Sequence, residues 1–517
     1  MLLTGRAVSP RQTLIGGLAA FLALIVLAAI APAARAAEFV YWDNYSGTPD
    51  TIAYANIDGT GGGLLNVGSS VVENPEGMAY DSVTNRLFVA NEGGVNGQIL
   101  AVNLDGSGAS AFTAPGAPIE EPEGIAVDPV NRLIYWINTK GAGSIAWARL
   151  DGSAGGTLST AGATFNQPCC RLALDPGAGR VFWVNGNGAG VNSISYANVN
   201  NTGGGDLNIT GTTVQPGGEG LVVDDASGRV YFLGGTNEVG FANLNGSGGG
   251  NVATAGAAIN GPYGLAFDPL LGRFYLGNYK NGTTTTNAIG LLNLAGGGGG
   301  ITPTTAPVAG PQDPVILKSP VAAGVPAVTA SPTAPASLSC STGVWGADYP
   351  GSFVYQVPRA FAYQWTLNGA AIGGATANAY AATTAGSYAC TVTATNQAGS
   401  AAQTSAAATI EAAKLKLVVK TKKVKVKTGK QAVIKVQAQN VGDLQSKSAR
   451  LCVKVPNKAK ADLKARCASL GKLAALKKKI AKLKVKVGPD ATGAYKLKIV
   501  PKGVPGKAAK ATLKVIG

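Results

Sequence analysis

A chain of 517 residues has room for three or four domains of about 150 residues each. It contains no histidine, which excludes imidazole general bases, Ser-His-Asp triads, Cys-His pairs and His-ligated zinc. The net charge of +16 conceals a division: residues 413 to 517 hold 27 Lys and 2 Arg against Asp443, Asp462 and Asp490, whereas residues 37 to 412 are net acidic.

Residues 1 to 36 read as a secretory signal. Arg6 and Arg11 precede an apolar stretch from Leu14 to Ile30, and Ala34-Arg35-Ala36 supplies the small-residue cleavage site. No second apolar span follows, so the expectation is a chain with no transmembrane segment once the signal is removed. Six cysteines in an exported chain are expected to be oxidised rather than metal-bound.

Residues 38 to 320 are built on a repeat. The pattern Pro-Glu-Gly, apolar-Ala-apolar-Asp, Arg-apolar-aromatic, Asn-Leu-Asp-Gly recurs with anchors at Asp81, Asp128, Asp175, Asp224 and Asp268, in steps of 47, 47, 49 and 44 residues. Such a period signals a stacked or circular β array. Within one copy, Gly124 to Asp128 forms a small, apolar inner strand and Arg132 to Ile137 an aromatic one. Ser144 to Leu150 then leads into the Asp151-Gly152 turn, and a weaker outer strand lies near Leu158. The first copy begins directly at Phe39-Val40-Tyr41-Trp42 without an inner strand, while residues 311 to 318 supply an inner strand with no copy after it. The spare strand is therefore expected to complete the first unit and close six blades into a ring.

Tyr41-Trp42-Asp43-Asn44, Tyr135-Trp136-Ile137-Asn138 and Phe182-Trp183-Val184-Asn185, with Leu-Asp-Gly turns at Leu104 and Leu150, give this region its resemblance. It resembles the six-bladed YWTD propellers of the low-density-lipoprotein-receptor class and the related NHL propellers. The third motif residue is Asp, Ile or Val where that family has Thr. Arg86, Arg132, Arg180, Arg229 and Arg273 follow the repeated acids and are expected to tie one blade to the next.

Five residues before the anchors stand Glu76, Glu123, Cys170, Glu219 and Tyr263, and in the closing unit Asp313 stands five residues before Lys318, which takes the anchor position. Radial symmetry is expected to gather these ligand-binding candidates around one mouth of a central channel. There they form a negative collar for a cation or a sugar, or else each acid caps its own turn. Cys169 and Cys170 replace the Glu of sibling repeats and bring Arg171 with them; they are either a vicinal disulfide or two thiols.

Residues 321 to 335 are a Pro/Ala-rich linker. From 336 to 411, Cys340, Trp365 and Gly386-Ser387-Tyr388-Ala389-Cys390 resemble the Cys, Trp, Tyr-x-Cys series of an immunoglobulin-like sandwich. That resemblance implies a Cys340–Cys390 disulfide. From 413 to 517 lysine alternates with aliphatic residues, as in half-buried strands, with a strand break expected near Lys422. Between Leu470 and Ile480 the apolar spacing fits either helix or strand. The segment resembles an adhesion-type β-sandwich of the CARDB class, with Cys452 and Cys467 as its internal pair.

The fold class expected is thus all-β, a six-bladed β-propeller followed by two β-sandwiches. The functional expectation is a secreted or cell-surface, non-enzymatic binding or adhesion protein with no cofactor. Its propeller face and immunoglobulin-like module would meet a protein or glycan, and its lysines an anionic envelope polymer rather than a specific nucleic acid. The alternatives are a propeller enzyme using channel-mouth carboxylates and a purely structural surface spacer.

Overall fold

The computed structural model describes residues 38–516 apart from 96, 187–192, 236, 280–287, 297, 303 and 332–334, and describes Cys169 and Cys170 in backbone only. The signal segment and the state of the Cys169–Cys170 pair lie outside the described residues. The fold is all-β, and no helix among the described residues is long and apolar enough to cross a membrane.

The chain divides into two compact units. The first runs through Val321 and takes in Gly346–Arg359 and Thr395–Ala401; the second comprises Ala322–Trp345, Ala360–Ala394 and Ala402–Gly517.

The first unit is propeller-like, with six sheets among the described residues, antiparallel throughout except for one strand added parallel to the first of them. Their inner strands are Val315–Leu317, Pro75–Asp81, Pro122–Asp128, Pro168–Asp175, Pro216–Asp224 and Pro262–Asp268. The cycle closes because Val315–Leu317 pairs with Phe39–Asn44, Tyr41 standing opposite Val315 and Phe39 opposite Leu317. Lys318 completes the seam: it is 4% exposed and its ammonium meets the carboxylate of Asp268 on the sixth sheet.

The glycine of the Pro-Glu-Gly motif is explained by how closely these inner strands approach. A Cβ on Gly77 would lie 3.1 Å from the Gly124 Cα of the next sheet, and one on Gly264 would lie 2.7 Å from the Asp313 Cα. Side chains with a Cβ would push neighbouring sheets apart.

Of the repeated arginines, Arg132 does bridge sheets, its two Nη groups donating to Asp81 Oδ1 and Oδ2 at 2.5 and 2.8 Å. Arg180 pairs with Asp175 of its own sheet at 3.0 Å and also donates to the Leu244 carbonyl of the next sheet at 3.3 Å, whereas Arg86 and Arg273 stay within their own sheets, donating to the Ala101 carbonyl and to Asn293. The anchor carboxylates chiefly accept backbone N–H groups two or three residues on, as Asp128 does from Val130 and Asn131 and Asp268 from Leu270 and Leu271, which fixes the tight turn after each inner strand.

Residues 336 to 411, read from sequence as one module, are shared between the units. In the second unit, Ala336–Cys340 pairs with Val328–Ser331 and Ala379–Ala382 in one sheet, and Ala360–Leu367 pairs with Gly386–Asn396 in another. The Cys340–Cys390 disulfide links these sheets beside buried Trp365, and the Tyr388 hydroxyl donates to the Thr384 carbonyl at 2.7 Å. Replacing both cysteines by alanine is expected to lower stability by about 2–4 kcal/mol, followed as the urea midpoint of Trp365 fluorescence.

The remaining residues form two sheets. One has the order Leu415–Val419, Gln431–Asn440, Lys478–Val487, Leu463–Ala465; the other runs Lys423–Lys427, Ala509–Ile516, Gly493–Lys502, Ala449–Lys454, Ala468–Gly471. The chain leaves strand conformation between Val419 and Lys423, where the lysine phase changes. The ambiguous span from Leu470 to Ile480 contains the end of one strand and the start of another, and no helix. Ile434, Val436, Leu483, Val485, Leu497 and Leu513 fill the space between the sheets while the alternate lysines face water. Cys452 and Cys467 are disulfide-bonded.

Candidate functional site

The ring positions lie where the inner strands begin. Glu76, Glu123 and Tyr263 are the second residues of their strands, Glu219 is the fourth of its longer strand, and all four are half-buried. The register slips in the first residues of five inner strands, between Pro75 and Gly77, Pro122 and Ile125, Cys169 and Leu172, Pro216 and Leu221, and Pro262 and Gly264. Such irregularities re-aim side chains away from the ladder.

The acids lie close enough to act on one another. Burial pushes the Glu76 carboxyl well above the usual carboxylate range, and the charges of Glu219, Glu123, Asp43 and Glu92 push it the same way. Tyr45 borders the same space; burial raises its phenol, with Glu76, Glu92, Tyr279 and Glu219 contributing. Its ring meets Tyr279 edge-on at 6.1 Å, and Tyr279 meets Tyr263 edge-on at 4.8 Å. A cavity of about 560 Å³ opens beside Glu123, lined by Thr139, Gly143, Phe165, Asn166 and Gln167 among others. Among the described residues no three Asp, Glu or Cys side chains converge closely enough to hold a metal ion.

Deeper in the ring, three charged groups break the symmetry of the repeat. Arg171 occupies the position of Gly77, Gly124, Gly220 and Gly264 in sibling sheets. Asp43 stands where the siblings have Ala90, Ile137, Val184, Leu233 and Gly277. Both are fully buried, and Asp313 is 3% exposed.

The fourth and first sheets are opposite in the cycle, so the ion pair between Arg171 and Asp313 spans the centre of the ring. Both oxygens of Asp43, and Nε and Nη2 of Arg171, have no hydrogen-bond partner among the described residues. Burial outweighs the attraction of Arg171 at both acids. It pushes the Asp313 carboxyl up to about 7 and Asp43 well above its usual range, with Asp313 raising Asp43 further. The guanidinium is in turn pulled down by burial, against the charges of Asp313 and Asp43.

At the other end of the inner strands the channel is filled by a plug, Gly346–Arg359. Val354–Tyr355 adds to the first sheet as a parallel strand beside Val315–Leu317. The Ile316 and Lys318 N–H groups donate to the Phe353 and Tyr355 carbonyls at 2.9 and 2.8 Å, and the Ser352 hydroxyl donates to the Val223 carbonyl. Phe353, Val354 and Tyr355 are all 0% exposed. The Arg171 guanidinium carbon sits 3.7 Å from the centre of the Phe353 ring, within cation–π range, so the plug and the buried charge cluster are one packed assembly. Arg359 reaches the Ser82 and Val83 carbonyls and pins the segment's exit.

The geometry therefore brings Glu76, Glu123 and Glu219 into one electrostatic neighbourhood and places Arg171 and Asp313 beneath it as a buried pair. Tyr263 joins through Tyr279. Of Cys170 only the strand position is described. Asp43 was visible in the sequence as a departure from the third motif residue, but its burial without a partner was not, and the plug carries no periodic signal at all.

No protein-family model and no curated protein matches this chain. Solved structures with a similar fold include one titled the nidogen/laminin complex, at 17% identity over 54% of this chain and 98% of that one, with a TM-score of 0.41. TolB from Acinetobacter baumannii matches at 13% identity over 54% of this chain and 66% of that one, with a TM-score of 0.39. A functionally unknown protein from Desulfotomaculum acetoxidans matches at 16% identity over 53% of this chain and 88% of that one, with a TM-score of 0.37.

Proposed function

We propose that this chain is an exported, non-enzymatic binding or adhesion protein. The propeller-like unit is read as a six-bladed toroid of the YWTD type, presenting the acidic mouth as its recognition surface. The second unit is read as an immunoglobulin-like sandwich followed by a CARDB-like one, whose lysines associate with an anionic polymer of the cell envelope. The two disulfides agree with an oxidising compartment.

The observation that carries the polymer reading is the register of the lysines. Lys454, Lys498 and Lys510 stand directly opposite one another across three strands, and Lys425 is opposite Lys514. On the other sheet Lys435 faces Lys482 and Lys464 faces Lys486. All are exposed. Like charges directly opposite destabilise a sheet, and a row repeating at about 4.8 Å is matched by a chain of anionic groups that neutralises it.

The test is salt-dependent retention. The mature protein should bind a heparin column at low salt and elute only as salt rises. Replacing Lys454, Lys498 and Lys510 together by glutamine should move elution to lower salt, the slope of log affinity against log salt falling by roughly one unit per lysine in contact. Flow-through of the unaltered protein at low salt would end the polymer reading.

A further inference from the structure

Three observations point to the chemistry the open mouth would accept. The carboxylates of Glu76, Glu123 and Glu219 share one neighbourhood with Glu92 and Asp43, while no three of them converge on a metal. Their dispersion suits a cation larger than a single ion, with several N–H donors or more than one charge. Tyr45, Tyr263 and Tyr279 form a connected aromatic wall beside these acids, and such rings attract ammonium groups through their faces.

Beneath them Asp43 is fully buried with both oxygens unpartnered, at a position where five sibling repeats manage with Ala, Ile, Val, Leu or Gly. Its carbonyl accepts the Gln312 N–H at 3.0 Å, which sets it beside Asp313, and its charge is felt at Glu76 above it. Arg171 attracts this acid electrostatically, yet neither of its oxygens receives a hydrogen bond from the described residues, which is costly for a buried carboxyl. The plug closes the channel beyond this point, so access is from the acidic end.

We propose that this mouth binds an aliphatic ammonium, as carried by a polyamine or a lysine side chain, its N–H groups donating to the Glu76, Glu123 and Glu219 carboxylates and its methylenes lying against the tyrosines. The inference rests on the reading of the mouth as a recognition surface and specifies its ligand. The adjoining 560 Å³ cavity is within the size range of small-ligand sites and gives an extended amine room beside Glu123.

Calorimetric titration of the mature protein at low salt tests this, with spermidine in one arm, a Gly-Lys-Gly peptide in another and calcium in a third. Saturable binding is expected in at least one amine arm, and the stronger arm identifies the source of the ammonium. Glu76→Gln and Glu219→Gln, near-isosteric changes at half-buried positions, should each weaken it by about tenfold, the scale of one charge-assisted contact. Asp105→Asn, in a solvent-exposed turn, should leave it unchanged.

The proposal is overturned by the absence of saturable amine binding, by equal loss in Asp105→Asn, or by calcium binding more tightly than either amine. If amines fail while Glu76→Gln still abolishes capture on a glycan array, read at salt high enough to release the unaltered protein from heparin, only the ligand class is wrong. If capture is also indifferent to Glu76→Gln, the mouth is not a recognition surface.

Discussion

Replacing Phe353 by alanine should lower the stability of the propeller-like unit by about 3–5 kcal/mol, the range for emptying a fully buried aromatic site. The ring is 0% exposed, sits in the core with Val354 and Ile316, and carries the buried Arg171 guanidinium on its face. Its backbone adopts φ of +57°, a left-handed conformation held by the Val315–Leu317 pairing on one side and the Pro350–Ser352 turn on the other. Collapse into the space is restricted because Gly351 lies tight against Leu174 and Val223. Urea unfolding, with hydrogen exchange localising the loss to inner strands, measures the effect. Phe361→Ala, at a ring 40% exposed, should change stability by only about 0.5 kcal/mol. A Phe353→Ala midpoint equal to that control would mean that the plug merely rests in the channel.

Arg171→Met should be comparably damaging at alkaline pH and much milder in acid. The substitution keeps most of the side-chain volume and leaves Asp43 and Asp313 buried without their cation, a loss of about 3–5 kcal/mol where the acids are ionised. The sign follows from the raised carboxyls. The folded protein holds protons on them that the unfolded chain releases above about pH 4, so their contribution to stability falls as pH rises, and for Asp313 it falls through about 7. Without Arg171 both carboxyls rise further. The difference between variant and wild-type urea midpoints should therefore be larger at pH 8 than at pH 5. A difference that is flat with pH would show that packing on Phe353, rather than the charge cluster, is what Arg171 supplies.

Local pattern revealed the ring but not its filling. The unmatched inner strand at residues 311 to 318 was legible because a repeat makes its own missing part conspicuous. The pairing of Tyr41 with Val315 is the physical form of that vacancy. Lysine alternation likewise announced the two outer faces of the last sheets, and the change of phase at Lys422 marked a real interruption. Ala347 to Phe353, by contrast, reads like any turn-rich loop of a sandwich. Its burial depends on partners more than a hundred residues away, such as Val223 for Ser352, and no window of sequence contains both. Arg171 was visible as an oddity among glycines, yet its partners Asp43 and Asp313 lie at opposite ends of the repeat region and meet only because that region closes.

The plug's place in the covalent chain has a mechanical consequence. Gly346–Arg359 lies inside the loop closed by the Cys340–Cys390 bridge. Tension along the chain from the carboxyl end would load Thr395–Ala401, cross the sulfur bridge and arrive at Val321, reaching the channel filling through the hydrogen bond from the Arg359 N–H to the Thr395 carbonyl rather than along its backbone. Reduced, the same chain would transmit the pull straight through Phe353 and unstopper the ring, so the bridge decides whether a stretched molecule keeps its centre.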